Sequence, residues 1–140
     1  MNMLNQTERQ SLIDLANETR KYSYAPYSHY PVGAALRTKT GRVYTGVNIE
    51  NAAYPTGICA ERVAIFKAVS EGELEFDVIA VVTDNGGSPC GSCRQVMAEF
   101  GLDTIVLIAD ENGKLIKEIT VQNLLPEAFQ PHHLDTRAGI

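Results

Sequence analysis

The chain has 140 residues, 44% hydrophobic and 21% charged, with a formal net charge of −5. That composition buries a core and excludes a disordered chain, and the length suits one domain spanning 1–140. Its twelve Lys and Arg form no basic run, which argues against a nucleic-acid partner, because phosphates are held by clustered cations. Met1 to Asn5 show no basic stretch leading into an apolar one. No apolar run approaches the ~18 residues of a membrane span. The expected compartment is the cytoplasm, where thiols stay reduced.

Asn5, with Glu8 three residues on, forms a capping pair. Leu12, Leu15, Ala16 and Thr19 then recur at helical spacing and predict a helix over about 5–22. Tyr22 to Pro31 holds two prolines and is dense in rings, so it is an irregular loop that should line something; Tyr22 and Tyr24 are assigned to core packing. Val32 to Arg37 and Arg42 to Ile49 read as a hairpin turned by Lys39-Thr40-Gly41. Asn51 to Ile58 is a second loop. From Ala60 to Val69 the pattern is helical and apolar almost all round, the mark of a buried helix.

Val78 to Val82 is a continuous apolar run suited to a central strand covered on both faces. A loop at Asn85 to Pro89 precedes a helix over Cys90 to Phe100. Thr104 to Ala109 and Lys114 to Ile119 are strands joined by a tight turn at Asp110-Glu111-Asn112-Gly113. A short helical turn follows at about 121–125, and from about 131 the tail is polar and expected to be loose. Crossover helices give parallel strands and hairpins give antiparallel ones, so the fold class is α/β: a three-layer α-β-α sandwich around a mixed five-stranded sheet.

Two motifs carry the chemistry: Cys59-Ala60-Glu61 and Pro89-Cys90-Gly91-Ser92-Cys93, each opening a helix. A catalytic zinc takes three protein ligands and leaves a fourth position open to water. Cys59, Cys90 and Cys93 are the only cysteines of the chain. Cys90 and Cys93, at i and i+3, can share one metal that Cys59 reaches from the neighbouring helix. Three thiolates make zinc a poor Lewis acid unless charge is withdrawn. Two helix N-termini, and Arg62 hydrogen-bonded to a ligating sulfur, supply that withdrawal. Glu61 is two residues from Cys59 and can approach the open position without being a ligand, which is the place of a proton shuttle. A redox dithiol would leave Cys59, Glu61 and Arg62 unexplained, and a structural zinc site would need a fourth protein ligand, for which there is no convincing candidate.

Together these motifs resemble the signature of the zinc deaminases in its three-cysteine variant. Pro26 to Leu36, Gly46 to Pro55, Ser88 to Val96 and Leu124 to Phe129 are similar to the small homotetrameric cytidine deaminases, and the resemblance covers about residues 10–130. It implies hydrolysis of cytidine and 2′-deoxycytidine to the uridine products plus ammonia, in pyrimidine salvage, with one zinc per chain and Glu61 as proton shuttle. It implies that Asn48 and Glu50 hydrogen-bond the sugar 3′-hydroxyl, and that the Ala60 backbone N–H points to the base. Tyr30 stands where the family usually has Phe against the pyrimidine. Tyr27, Tyr54 and Phe129 match residues that reach a neighbouring subunit's site, so a homotetramer is implied. Asn48 and Glu50, alternating at a strand end, are expected on one face.

Overall fold

The capping pair forms as expected: the Glu8 amide donates to Asn5 Oδ1 (2.8 Å) and the Asn5 amide to Glu8 Oε1 (3.0 Å). It starts α1, Gln6–Thr19, which tightens into a 3-10 turn at Arg20–Tyr22. The computed structural model describes residues 4–134. After α1 come β1 (Gly33–Thr38), β2 (Val43–Val47), α2 (Ala60–Ser70), β3 (Phe76–Val82), α3 (Gly91–Glu99), β4 (Ile105–Ala109), β5 (Leu115–Thr120) and α4 (Val121–Leu124). Pro131–Leu134 is a 3-10 turn; the rest of the polar tail lies outside the described residues.

The five strands are ordered β2-β1-β3-β4-β5. Only β3 and β4 pair in parallel; β1–β2, β1–β3 and β4–β5 are antiparallel. The parallel pair follows from topology, because α3 carries the chain back across the sheet between β3 and β4. Alternation along the strands sorts two cores. Ala35, Val78, Ala80, Val82 and Leu107 pack under α1 with Leu12, Ile13 and Ala16. Leu36, Ile79, Val81, Val106 and Ile108 pack under α2 and α3 with Ile65 and Met97. The result is the expected three-layer mixed sheet. No helix of the described residues is long and apolar enough to cross a membrane.

One glycine brings α2 to its place. A Cβ on Gly46 would lie 2.4 Å from the Ala60 carbonyl oxygen and 2.6 Å from the Ala64 amide nitrogen, so β2 meets the first turn of α2 backbone to backbone. That contact sets the helix end carrying Cys59 over the edge of the sheet.

Two sequence expectations are corrected. Tyr22 and Tyr24 are not core residues: they stand 69% and 55% exposed, because the loop they begin runs outside the helical layers. α2 is not buried all round either. Ala60, Ala64, Ile65 and Ala68 are covered, but Phe66 is 45% exposed. Within one chain the sheet lies on only one side of this helix.

A cleft over three converging sulfurs

Cys59 is the N-cap of α2 and Cys90 the N-cap of α3. Both have extended backbone, and neither side chain makes a cap hydrogen bond. Their sulfurs stand free at the positive ends of two helices. Cys93 occupies the first turn of α3, fully buried. The Sγ atoms of Cys59 and Cys90 are 3.8 Å apart and those of Cys90 and Cys93 3.4 Å apart, and all three sulfurs lie within 4.8 Å of one another. Tetrahedral zinc with bonds of about 2.3 Å sets sulfur pairs about 3.8 Å apart, so the donor set fits that ion.

The electrostatics are those of a crowded sulfur set. A hydrogen bond from the Cys93 thiol, aided by the Arg62 guanidinium, draws Cys59 down to about 5. Cys93 is pushed up, first by that same hydrogen bond and then by burial. Sulfurs this close repel once ionised, and a divalent cation among them removes the repulsion. Arg62 Nη2 donates to Cys59 Sγ at 3.6 Å, the sulfur contact expected of it. Its Nε is buried with no partner among the described residues.

Above the sulfurs opens a cleft of about 640 Å³ lined by Cys59, Cys90, Glu61, Asn48, Glu50, Tyr30 and Thr83, with Tyr27 and Tyr54 at its rim. That volume suits a small organic ligand. Glu61, on the first turn of α2, is only 4% exposed, and burial raises its carboxyl to about 7. Tyr27 and Tyr54 meet edge to face with centroids 5.8 Å apart.

Asn48 and Glu50 both face the cleft, as the alternation predicted, although β2 ends at Val47 and Ile49 joins only isolated bridges. Both also hold the ring-rich loop. Asn48 Nδ2 donates to the Tyr30 carbonyl (2.9 Å), and its Oδ1 accepts from the Val32 amide (2.9 Å) and the Ser23 hydroxyl. Glu50 Oε1 accepts from the Tyr27 and Ser28 amides at 3.0 and 3.1 Å, and Oε2 from the Ser28 hydroxyl. Ala60 is fully buried at the start of α2, between the cleft residues Cys59 and Glu61. Phe129 does not line the cleft; it stands 54% exposed against His133, with ring centroids 5.4 Å apart.

Sequence reasoning passed over Arg94 and Thr83. Arg94 donates from Nε to the Pro89 carbonyl (2.8 Å), from Nη1 to the Leu124 carbonyl (2.7 Å) and from Nη2 to Ser88 Oγ (2.9 Å), fastening the loop before Cys90 to the end of α4. The Thr83 hydroxyl accepts from the Gly87 amide at 2.7 Å. The signal for Thr83 was its position: it directly follows an apolar parallel strand, and ligand sites in open α/β sheets gather beyond such carboxyl ends.

The model of the cytidine and deoxycytidylate deaminase zinc-binding region matches residues 6–109. A cytidine deaminase of Halalkalibacterium halodurans is 52% identical over 125 residues, 87% of this chain and 94% of that protein. One of Sporosarcina psychrophila is 47% identical over 131 residues, covering 92% and 96%. The crystal structure of cytidine deaminase from Burkholderia pseudomallei superposes with a TM-score of 0.82 at 41% identity, covering 90% of this chain and 100% of that one. With the motifs, the sulfur cluster and the sheet in agreement, the chain belongs to the cytidine and deoxycytidylate deaminase zinc-binding family.

Proposed function

We propose that this chain is a single-domain, zinc-dependent deaminase that hydrolyses cytidine and 2′-deoxycytidine to uridine and 2′-deoxyuridine with release of ammonia. The observation that carries the reading is the convergence of three sulfurs within 4.8 Å of one another beneath a cleft that also holds the buried carboxyl of Glu61.

Cys59, Cys90 and Cys93 are the metal ligands. Zinc held there supplies a Lewis acid that lowers the pKa of the attacking water. Glu61 takes a proton from that water, places it on the ring nitrogen and passes a second to the leaving amine. One C–O bond forms at the ring carbon, the C–N bond breaks, and ammonia departs. A carboxyl shielded from bulk solvent performs these transfers without competition from water. Arg62 draws charge from the Cys59 sulfur.

The cleft favours a nucleoside over a nucleotide. Among the described residues Arg62 is the only Lys or Arg lining it, and its guanidinium is directed at Cys59, while Glu50 lines the same cleft. A 5′-phosphate would meet no free cation there and would be repelled by a carboxylate. Asn48 and Glu50 receive the sugar 3′-hydroxyl, the Ala60 N–H faces the base, and the Tyr30 ring packs on the pyrimidine. Phe66, Tyr54, Tyr27 and Phe129 are 45%, 75%, 46% and 54% exposed. Tyr27 and Tyr54 are bare at the cleft, Phe66 along α2 and Phe129 beyond α4, and such rings offer surfaces for further copies. They support a homotetramer in which Tyr27, Tyr54 and Phe129 reach a neighbouring site. The reaction belongs to cytoplasmic pyrimidine salvage.

The test is turnover with metal analysis. Purified protein should carry one zinc per chain and convert cytidine with stoichiometric ammonia. Glu61→Gln should keep fold and zinc and lose ~10²–10⁴-fold in kcat. A zinc-loaded wild type that leaves cytidine untouched, or a fully active Glu61→Gln, overturns the reading. Analytical ultracentrifugation checks the tetramer.

A further inference from the structure

We propose that Asn85 is a positioning residue of the cleft, holding the Tyr30 ring and the Gly87 backbone in register through the Tyr30 hydroxyl. The inference rests on the deaminase reading for its kinetic readout only.

Tyr30 Oη donates to Asn85 Oδ1 at 2.7 Å. The same oxygen is 3.5 Å from Thr83 Oγ1, and that hydroxyl, on a residue 3% exposed, accepts from the Gly87 amide at 2.7 Å. A continuous path therefore runs from the Tyr30 ring through Asn85 and Thr83 to Gly87. On the other side the Tyr30 amide donates to Ser28 Oγ at 3.1 Å, and Ser28 holds Glu50. Tyr30, Thr83 and Gly87 all line the cleft.

The hydroxyl also dictates the residue at 87. A Cβ on Gly87 would lie 2.5 Å from Tyr30 Oη, whereas its next neighbours, Thr83 Oγ1 and Tyr30 Cζ, are each 3.7 Å away. The oxygen alone forbids a side chain there; the ring edge does not. Because Asn85 holds that oxygen, the clash cannot be relieved by a small ring shift without breaking the hydrogen bond. Arg20 fastens the same two loops a step away, from Nε to the Pro31 carbonyl (3.2 Å) and from Nη2 to Asp84. A phenylalanine at position 30 would offer neither the donor nor the block, so the hydroxyl, Asn85 and Gly87 act as one unit. The unit fixes the gap between the pyrimidine-packing ring and the loop that leads to Cys90.

The test uses the zinc-loaded enzyme. Tyr30→Phe and Asn85→Ala should each raise KM for cytidine about 3- to 10-fold, the worth of one hydrogen bond, with kcat within about twofold. The double variant should be no worse than either single, because both remove one interaction. Asn85→Asp keeps an acceptor oxygen and should restore KM. Gly87→Ala should be impaired more than either, and adding Tyr30→Phe should recover activity. Independently of turnover, amide exchange at Gly87 should quicken about tenfold in Tyr30→Phe and Asn85→Ala, as expected when a bond supporting that loop is lost; this readout survives even if cytidine is not the substrate. Additive losses in the double variant, a Gly87→Ala defect that Tyr30→Phe does not relieve, or unchanged Gly87 exchange would overturn the proposal.

Discussion

Arg62 lies one helical turn above Cys59, and its Nη2 donates to the Cys59 sulfur across 3.6 Å. The hydrogen bond to that sulfur raises the pKa of the guanidinium, so it is a permanent positive charge against that sulfur. Two helix N-termini push in the same direction from the sulfurs of Cys59 and Cys90. An all-sulfur donor set enriches a metal in electrons, and these three positive groups counter it.

Removing one of them should therefore show in chemistry before it shows in metal content. Arg62→Gln should retain one zinc per chain while kcat falls about 10- to 100-fold, the usual effect of losing a partner that supports a metal ligand. Steady-state kinetics beside metal analysis on the same preparation decides it. Zinc lost in step with activity would mean that Arg62 holds the site together and does not tune it.

Cys93 tests the ligand assignment. Its sulfur is wholly buried on the first turn of α3, 3.4 Å from that of Cys90. Cys93→Ala leaves two donors, so zinc should fall to background and turnover should vanish. Metal binding and folding are linked, and the melting temperature should drop to that of wild-type protein stripped by a chelator. Stoichiometric zinc in Cys93→Ala would refute the ligand set.

Much of this site was legible in the sequence because its parts are local. Cys59 and Glu61 are two residues apart, Cys90 and Cys93 one helical turn apart, and N-caps are readable from what precedes an apolar helix. The sheet was legible for the same reason: Val78 to Val82 suits a covered strand, and Asp110 to Gly113 a tight turn. What escaped is non-local. Arg94 reads as an ordinary polar helix residue until α4 folds back and puts the Leu124 carbonyl within 2.7 Å. Asn85 reads as loop filler, and its contact with Tyr30, 55 residues away in sequence, is what ties it to the cleft. Tyr22 and Tyr24 misled because a ring in a loop looks the same whether it turns inward or across the surface. α2 misled because an apolar pattern does not tell how much of a helix its own chain covers, and Phe66 is left 45% exposed.

Glu50 supplies a pH dependence with a definite sign. The Ser28 hydroxyl, then the Ser28 and Tyr27 amides, donate to its carboxylate and hold it below the ordinary carboxylate range. A carboxyl with a lowered folded-state pKa supports its structure above the unfolded value and loses that support as pH falls through the folded one. The ring-rich loop should therefore stay docked through about pH 4.3, where a free glutamate titrates, and release only in more acid solution. Amide chemical shifts of Tyr27 and Ser28 followed against pH measure this. In Glu50→Gln, which keeps an acceptor oxygen but cannot ionise, those shifts should be flat across the same range. A titration of the wild-type shifts at or above the free-glutamate value would contradict the tether.

Arg94 makes the firmest stability prediction, because its three hydrogen bonds join segments that nothing local brings together. Pro89 and Leu124, whose carbonyls it satisfies, are both buried residues. Truncation to alanine would strand two acceptors, each costing about 1–3 kcal/mol unless water enters. Arg94→Ala should lower stability by about 2–4 kcal/mol, a fall in Tm of order 5–15 °C for a domain of this size. Arg94→Lys should rescue little, since a single ammonium cannot span three acceptors laid out for a planar fork. The same loss frees the Ser88–Pro89 segment that positions Cys90, so zinc should exchange faster to a chromophoric chelator even well below the melting temperature. Thermal unfolding at saturating zinc, run beside chelator competition at 25 °C, separates the two effects. A variant that melts early but holds zinc as tightly as wild type would show that Arg94 serves the C-terminal segment alone.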